Sequence, residues 1–126
     1  MTQGSANPVH WFEIPVDDLQ RATAFYEAVI GAPLKPVEQG PYRMSWFPGD
    51  FGAQGSTGAL VNGPGRVPGK GGAMVYLTVP NVDGALEVVQ ARGGKVVMPT
   101  TAGEFGAIAH FEDSEGNLVA LYGRRD

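Results

Sequence analysis

The sequence predicts an α+β chain in which one βαβββ module is used twice in tandem. Three observations predict it. The first is a repeat. "FEIPVDDLQRATAFYEAVIG", opening at Phe12, is matched in residue type by "VYLTVPNVDGALEVVQARGG", opening at Val75, at a constant offset of 63 residues. Under that offset Ile14 falls on Leu77, Val16 on Val79, Leu19 on Val82, Ala22 on Ala85 and Gly31 on Gly94. The second is a change of period: each copy opens with strand-like alternation and then switches to a helical stripe. The third is the Gly/Pro-rich "NGPGRVPGKGG" at 62–72, a linker between two like halves. Module one therefore runs from about 8 to 62 and module two from about 73 to 123, within one domain of 126 residues.

Each element follows from local chemistry. In the first strand Phe12, Ile14 and Val16 alternate with Trp11, Glu13 and Pro15. Asp18 then stands where its side-chain oxygen can accept from an early helix N–H, and Asn81 does so in the repeat. Leu19, Ala22, Tyr26 and Val29 make the apolar stripe of the first helix; Val82, Ala85, Leu86 and Val89 make that of the second. Gly31 and Gly94 are expected to supply the left-handed residue that ends each helix. Short extended stretches follow around 35–37, 42–47 and 58–61, and again around 95–99, 107–112 and 118–122. The last two enclose the hairpin "GAIAHFEDSEGNLVALYG", with His110 in its first strand.

Composition removes several function classes. Apolar residues make up 43% of the chain and charged residues 17%, the balance of a folded domain rather than a disordered one. No apolar run approaches the ~20 residues that span a bilayer. The segment "MTQGSANPVHW" lacks the basic and apolar regions of a secretory signal. There are no cysteines, hence no disulfide, thiolate ligand or thiol nucleophile, and a reducing cytoplasmic location is expected. Net charge is −4 with the nine basic residues scattered, which argues against a nucleic-acid partner.

Parity sorts the strand residues into two faces. The aliphatic face of each first strand belongs under the helices, where the helical stripes can be buried. The other face carries Trp11 and Glu13 in module one, and Met74, Tyr76 and Thr78 in module two. In the hairpin, His110 shares its face with Ile108 and Glu112, and Ala120 with Leu118 and Tyr122. Trp, Met, Tyr, His and Glu together suit a ligand cleft, which is mostly apolar with a few placed polar groups.

The duplicated unit, with "VDDLQRATAFYEAVIG" and "FEDSEGNLVALYG", resembles the vicinal oxygen chelate superfamily over nearly the whole chain. That group includes glyoxalase I, extradiol dioxygenases, fosfomycin-resistance transferases and bleomycin-resistance binding proteins. The resemblance implies curved mixed sheets around a cleft, often completed in a homodimer. It also implies four metal-ligand positions, one in the first and one in the last strand of each module. Here these fall on Trp11, Met74, about Leu60, and Ala120. None suits a hard or borderline divalent ion, which wants imidazole or carboxylate. His10 is one residue from the expected position and should face the other way.

The expectation is therefore a metal-independent, cofactor-free protein that binds a small, partly aromatic molecule, as bleomycin-resistance members do. Trp11, Trp46, Met74, Tyr76 and Tyr122 would line the cleft. Two alternatives stand beside it. One is a metal-free lyase or isomerase using Glu13 and His110 as an acid–base pair; the other is a metal enzyme with displaced ligands His10, Glu13 and His110. Asp113 and Asn117 are expected to shape the turn rather than touch a ligand, and Glu112 to be solvated beside it. Drug-sequestering relatives are generally acidic and attract cations, toward which −4 is a mild bias.

Overall fold

Each copy of the repeat folds into one helix and a four-stranded sheet in the computed structural model, which describes residues 7–50 and 52–124. Module one contains β1 (Trp11–Pro15), α1 (Leu19–Ile30), β2 (Lys35–Gln39), β3 (Tyr42–Trp46) and β4 (Thr57–Asn62). Module two contains β5 (Tyr76–Thr78), α2 (Val82–Ala91), β6 (Lys95–Gly103), β7 (Gly106–Glu112) and β8 (Leu118–Gly123). The sheets have equivalent orders, β1-β4-β3-β2 and β5-β8-β7-β6. In each, the helix carries the chain out of its first strand, and the last strand returns parallel beside that first one. The other neighbours are antiparallel, so both sheets are mixed, as the repeat predicts.

The helix starts form as read. Asp18 Oδ1 accepts from Arg21 N–H at 3.0 Å, and Asn81 Oδ1 from Gly84 N–H at 2.8 Å. The helix ends agree only for α1, where Gly31 has φ 79°. After α2 the left-handed residue is Gly93, with φ 95°, and not Gly94. Gly94 is small for another reason: a Cβ there would lie 2.7 Å from both the Glu112 carbonyl and Val89 Cγ1. The β6 strand runs to Gly103, beyond the expected 99, because register shifts on either side of Met98 accommodate Pro99 and let pairing with β7 resume.

One core serves both modules. Ile14, Val16 and Leu60 from the first sheet meet Leu77, Val79, Phe111 and Leu121 from the second, with the apolar stripes of both helices between them. Phe25 belongs to that core and widens the α1 stripe beyond the four residues expected. Its ring stands 5.1 Å from Tyr26 and 6.1 Å from Phe111. Leu19 is only partly buried at the edge. Among the described residues no strand of one sheet pairs with a strand of the other; the modules meet through the side chains of the shared core, through α1 against α2, and through the turn after β7. Each sheet therefore turns its second face away from the shared core.

The turn between β7 and β8 locks the modules together. Asp113 Oδ1 accepts from Glu115 and Asn117 N–H at 2.8 and 2.9 Å, the turn-shaping role expected of it. Its other oxygen takes the Tyr26 hydroxyl at 2.6 Å, reaching across to α1. Asn117 also works beyond its own turn, donating to the Pro15 carbonyl at 2.8 Å and accepting from Gly69 N–H at 2.9 Å. Glu115 receives Asp17 and Asp18 N–H and both Nε and a terminal nitrogen of Arg21. Its side chain has no exposed surface. Burial would push its carboxyl up, but the Arg21, Asp18 and Ser114 hydrogen bonds outweigh that and hold it down at about 2.

Candidate functional site

The outer face of module one is assembled by pairing. Glu13 stands beside Ala59, Trp46 beside Ala59 on its other edge, and Met44 beside Val61. This face has a small apolar cluster of its own, in which Met44, Ala59 and Val61 are buried and Trp11, Val37, Tyr42 and Trp46 pack against them. The Trp11 and Trp46 rings meet edge to face at 5.1 Å. Beside them lies a cavity of about 240 Å³ lined by His10, Trp11, Glu13, Gln39, Met44 and Trp46. His10 thus borders the cavity instead of facing away. It precedes β1, so strand parity does not govern its direction. A larger cavity, about 520 Å³, lies between Asn7–His10 and the loop joining β3 to β4. It has no Phe, Tyr or Trp in its lining among the described residues.

Each carboxylate oxygen of Glu13 has one partner in the chain. One carboxylate oxygen takes an Arg66 terminal N–H at 3.0 Å and the other takes Trp11 Nε1–H at 3.3 Å. Arg66 comes from the linker, and its guanidinium sits 4.9 Å above the Tyr42 ring. Among the described residues two donors here stay unmatched: Trp46 Nε1 and Arg66 Nε are buried with no hydrogen-bond partner.

The outer face of module two is more open. Tyr76, 48% exposed, pairs with Ala120, which in turn pairs with His110. The Tyr76 hydroxyl and His110 Nε2 are 3.3 Å apart, with their rings edge to face at 5.9 Å. Tyr122 is on the same face, but its hydroxyl is committed, donating to the Phe105 carbonyl at 2.7 Å. Met74 precedes β5 and Met98 pairs with His110. Glu112 is held by Lys70 at 3.3 Å, so the expected solvated carboxylate is part of an ion pair.

Glu13 and His110, expected as partners, are not brought together within the chain. They lie on the outer faces of different sheets, and no hydrogen bond or ion pair joins them. Nor are His10, Glu13 and His110 gathered into a ligand set: among the described residues no three His, Cys, Asp or Glu side chains are placed to hold a metal ion.

The pairing also corrects one of the four inherited ligand positions. Leu60 is fully buried under the helices. The residue equivalent to Ala120 is Ala59, since Ala59 pairs with Glu13 as Ala120 pairs with Tyr76, and Glu13 and Tyr76 are repeat equivalents. The four positions thus carry an indole, a thioether and two methyl groups, a donor set that does not fit a divalent ion.

A family profile shows the lineage, and solved structures share the fold. The Glyoxalase/Bleomycin resistance protein/Dioxygenase superfamily profile matches residues 9–121. No curated protein matches the chain. Among solved structures, a glyoxalase/bleomycin resistance protein from Albidiferax ferrireducens T118 superposes with TM-score 0.71 at 17% identity, over 94% of this chain and 100% of that one. Glyoxalase I from Leishmania major gives 0.69 at 16% identity, over 94% and 87%. TnmS3, an antibiotic binding protein from Streptomyces sp. CB03234, gives 0.62 at 24% identity, over 98% and 100%.

Proposed function

The chain belongs to the glyoxalase/bleomycin resistance protein/dioxygenase superfamily, and from that premise we propose that it is a metal-independent binding protein for a small, partly aromatic molecule. The observation that carries this reading is the outer face of module one. There two tryptophans and a methionine surround a cavity whose carboxylate is already neutralised. Aromatic walls with few polar groups favour retention of a flat organic ligand. The donor set supports metal independence, because indole, thioether and methyl side chains supply none of the ligands that a divalent ion needs. The likeness in fold to an antibiotic binding protein is in keeping with this class.

The proposed cleft is completed by a second copy. Each outer face keeps partly exposed aromatic side chains in a single chain, and a twofold arrangement that sets module one of one chain against module two of the other would close both. That arrangement is also what the acid–base alternative requires, because only there would Glu13 meet a His110. The remaining expectations, a cytoplasmic location and no nucleic-acid partner, rest on composition; among the described residues no helix is long and apolar enough to cross a membrane.

The test uses intrinsic fluorescence, since the only two tryptophans of the chain, Trp11 and Trp46, both line the cavity. A panel of two-ring and three-ring aromatic compounds should give saturable quenching. Trp11→Ala should weaken binding at least about tenfold, the loss expected for an aromatic anchor. A flat response across the panel would sink the reading. Near-stoichiometric zinc, nickel or iron that survives dialysis would sink metal independence.

A further inference from the structure

The aromatic cavity of module one does not stop at its tryptophans. Trp11 is the first residue of β1 and Trp46 the last of β3, while Thr57, the first of β4, is the Cα partner of Trp11. Because β1 runs parallel to β4 and β3 antiparallel to it, all three stand at the same end of the sheet. The cavity of about 520 Å³ lies just past that end, between the residues leading into β1 and the loop from Pro48 to Thr57. His10 borders both cavities, so the aromatic one continues into the larger.

The two walls differ in chemistry. Where the first presents indoles and a thioether, the second presents the Asp50 carboxylate, the Gln54 amide, the Ser56 and Thr57 hydroxyls and the His10 imidazole. The loop carrying them is held in place. Ala53 N–H donates to the Asp50 carbonyl at 2.8 Å, Gly52 N–H to Asp50 Oδ1 at 3.1 Å and the Thr57 hydroxyl to the Pro48 carbonyl at 3.1 Å. Gly49 packs so closely there that a Cβ would lie 2.5 Å from the Thr57 side chain. The Gln54 and Ser56 side chains are exposed and make no hydrogen bond within the described chain. An ionised carboxylate only accepts, an amide donates and accepts at separate atoms, and a hydroxyl does both at one atom. Ligand hydroxyls can therefore serve every polar group on this wall.

We propose that the ligand of this site is a flat aromatic molecule bearing a hydroxyl-rich appendage, such as a sugar in glycosidic linkage. The ring lies against Trp11 and Trp46, and the appendage occupies the polar cavity. This inference rests on the proposed binding function and names the ligand class for it. Size points the same way. The aromatic cavity alone, about 240 Å³, falls below the roughly 300–1,000 Å³ of ligand pockets, and with the polar cavity it comes inside that range.

The test compares 2-methoxynaphthalene with the 2-naphthyl glucoside and galactoside, which share its ring and ether oxygen and add only the sugar. Each is titrated into the full chain by isothermal calorimetry. At least one glycoside should bind about tenfold tighter than the methyl ether, the worth of one or two hydrogen bonds. Gln54→Ala combined with Ser56→Ala should bring that glycoside down to the affinity of the methyl ether. Trp11→Ala should weaken all three. Glycosides that bind no tighter than 2-methoxynaphthalene, or a preference that survives the Gln54 and Ser56 substitutions, overturn the proposal while leaving the aromatic site in place. If none of the three binds, the binding function falls, and this ligand class falls with it.

Discussion

Glu115 is the residue on which the junction of the modules turns. It collects N–H groups from the start of α1 and the Arg21 guanidinium, while the helix whose entry it secures belongs to the other module. Glu115→Gln keeps the shape but loses the charge, and should cost about 2 kcal/mol, the range for hydrogen bonds to an ionised group. The pH dependence has a definite sign. The carboxyl is held at about 2 in the fold against an ordinary 4.5, so its stabilisation is complete above 4.5 and is lost as pH falls from there toward 2. Thermal melts of the wild type should fall through that window, and the Glu115→Gln variant should show a shallower acid limb. Tyr26 has the opposite behaviour. Burial, then the charge and hydrogen bond of Asp113, push its phenol well above 10. In an alkaline absorbance titration, one of the four tyrosines should stay protonated until the protein unfolds.

At the scale of elements, two adjacent glycines after α2 do different jobs, and substitution separates them. Gly93 occupies the left-handed region with open space around it, so Gly93→Ala should cost about 1 kcal/mol of backbone strain. Gly94 has no such backbone requirement, but a methyl group there would press on the Glu112 carbonyl and Val89. Gly94→Ala should cost about 2–3 kcal/mol through overpacking between α2 and β7. Denaturation midpoints that ranked the two in reverse would show that the β6–β7 edge yields more readily than the packing suggests. The linker follows the same lesson. A Gly/Pro-rich composition predicts a loose tether, yet Arg66, Gly69 and Lys70 each anchor it to a different part of the molecule.

For the whole molecule, the shared core decides what one chain can do alone. Because both sheets spend their aliphatic faces on that core, their aromatic faces point away from it. A cleft that uses both faces therefore needs two chains. If the proposed twofold is correct, the purified protein should run at twice the 13.3 kDa chain mass in light scattering. Trp11→Ala and His110→Ala variants, each impaired alone, should regain about a quarter of the wild-type sites when mixed, since half the chains form heterodimers and each heterodimer keeps one intact cleft. A monomer in solution, or no recovery on mixing, would confine the site to the module-one face.

The sequence by itself determined the two modules, the helix starts at Asp18 and Asn81, and which first-strand residues lie under the helices. Those features depend on neighbours within a turn or a strand, and alternation and capping record them locally. It was less informative for β4, where "GALV" is apolar on both faces and leaves no alternation to anchor the register; hence Leu60 was expected where Ala59 stands. It passed over Phe25, although its spacing from Ala22 and Val29 fits the helical period, and it missed Glu115 at the junction and Arg66 on Glu13, for which no periodic signal exists. The contacts of Glu115 and Arg66 join residues dozens of positions apart and depend on how the modules pack and where the linker runs. Tertiary structure alone decided that Glu13 answers to Arg66 rather than to His110. Each sheet fixes its own face, but only packing between the sheets fixes which faces can meet.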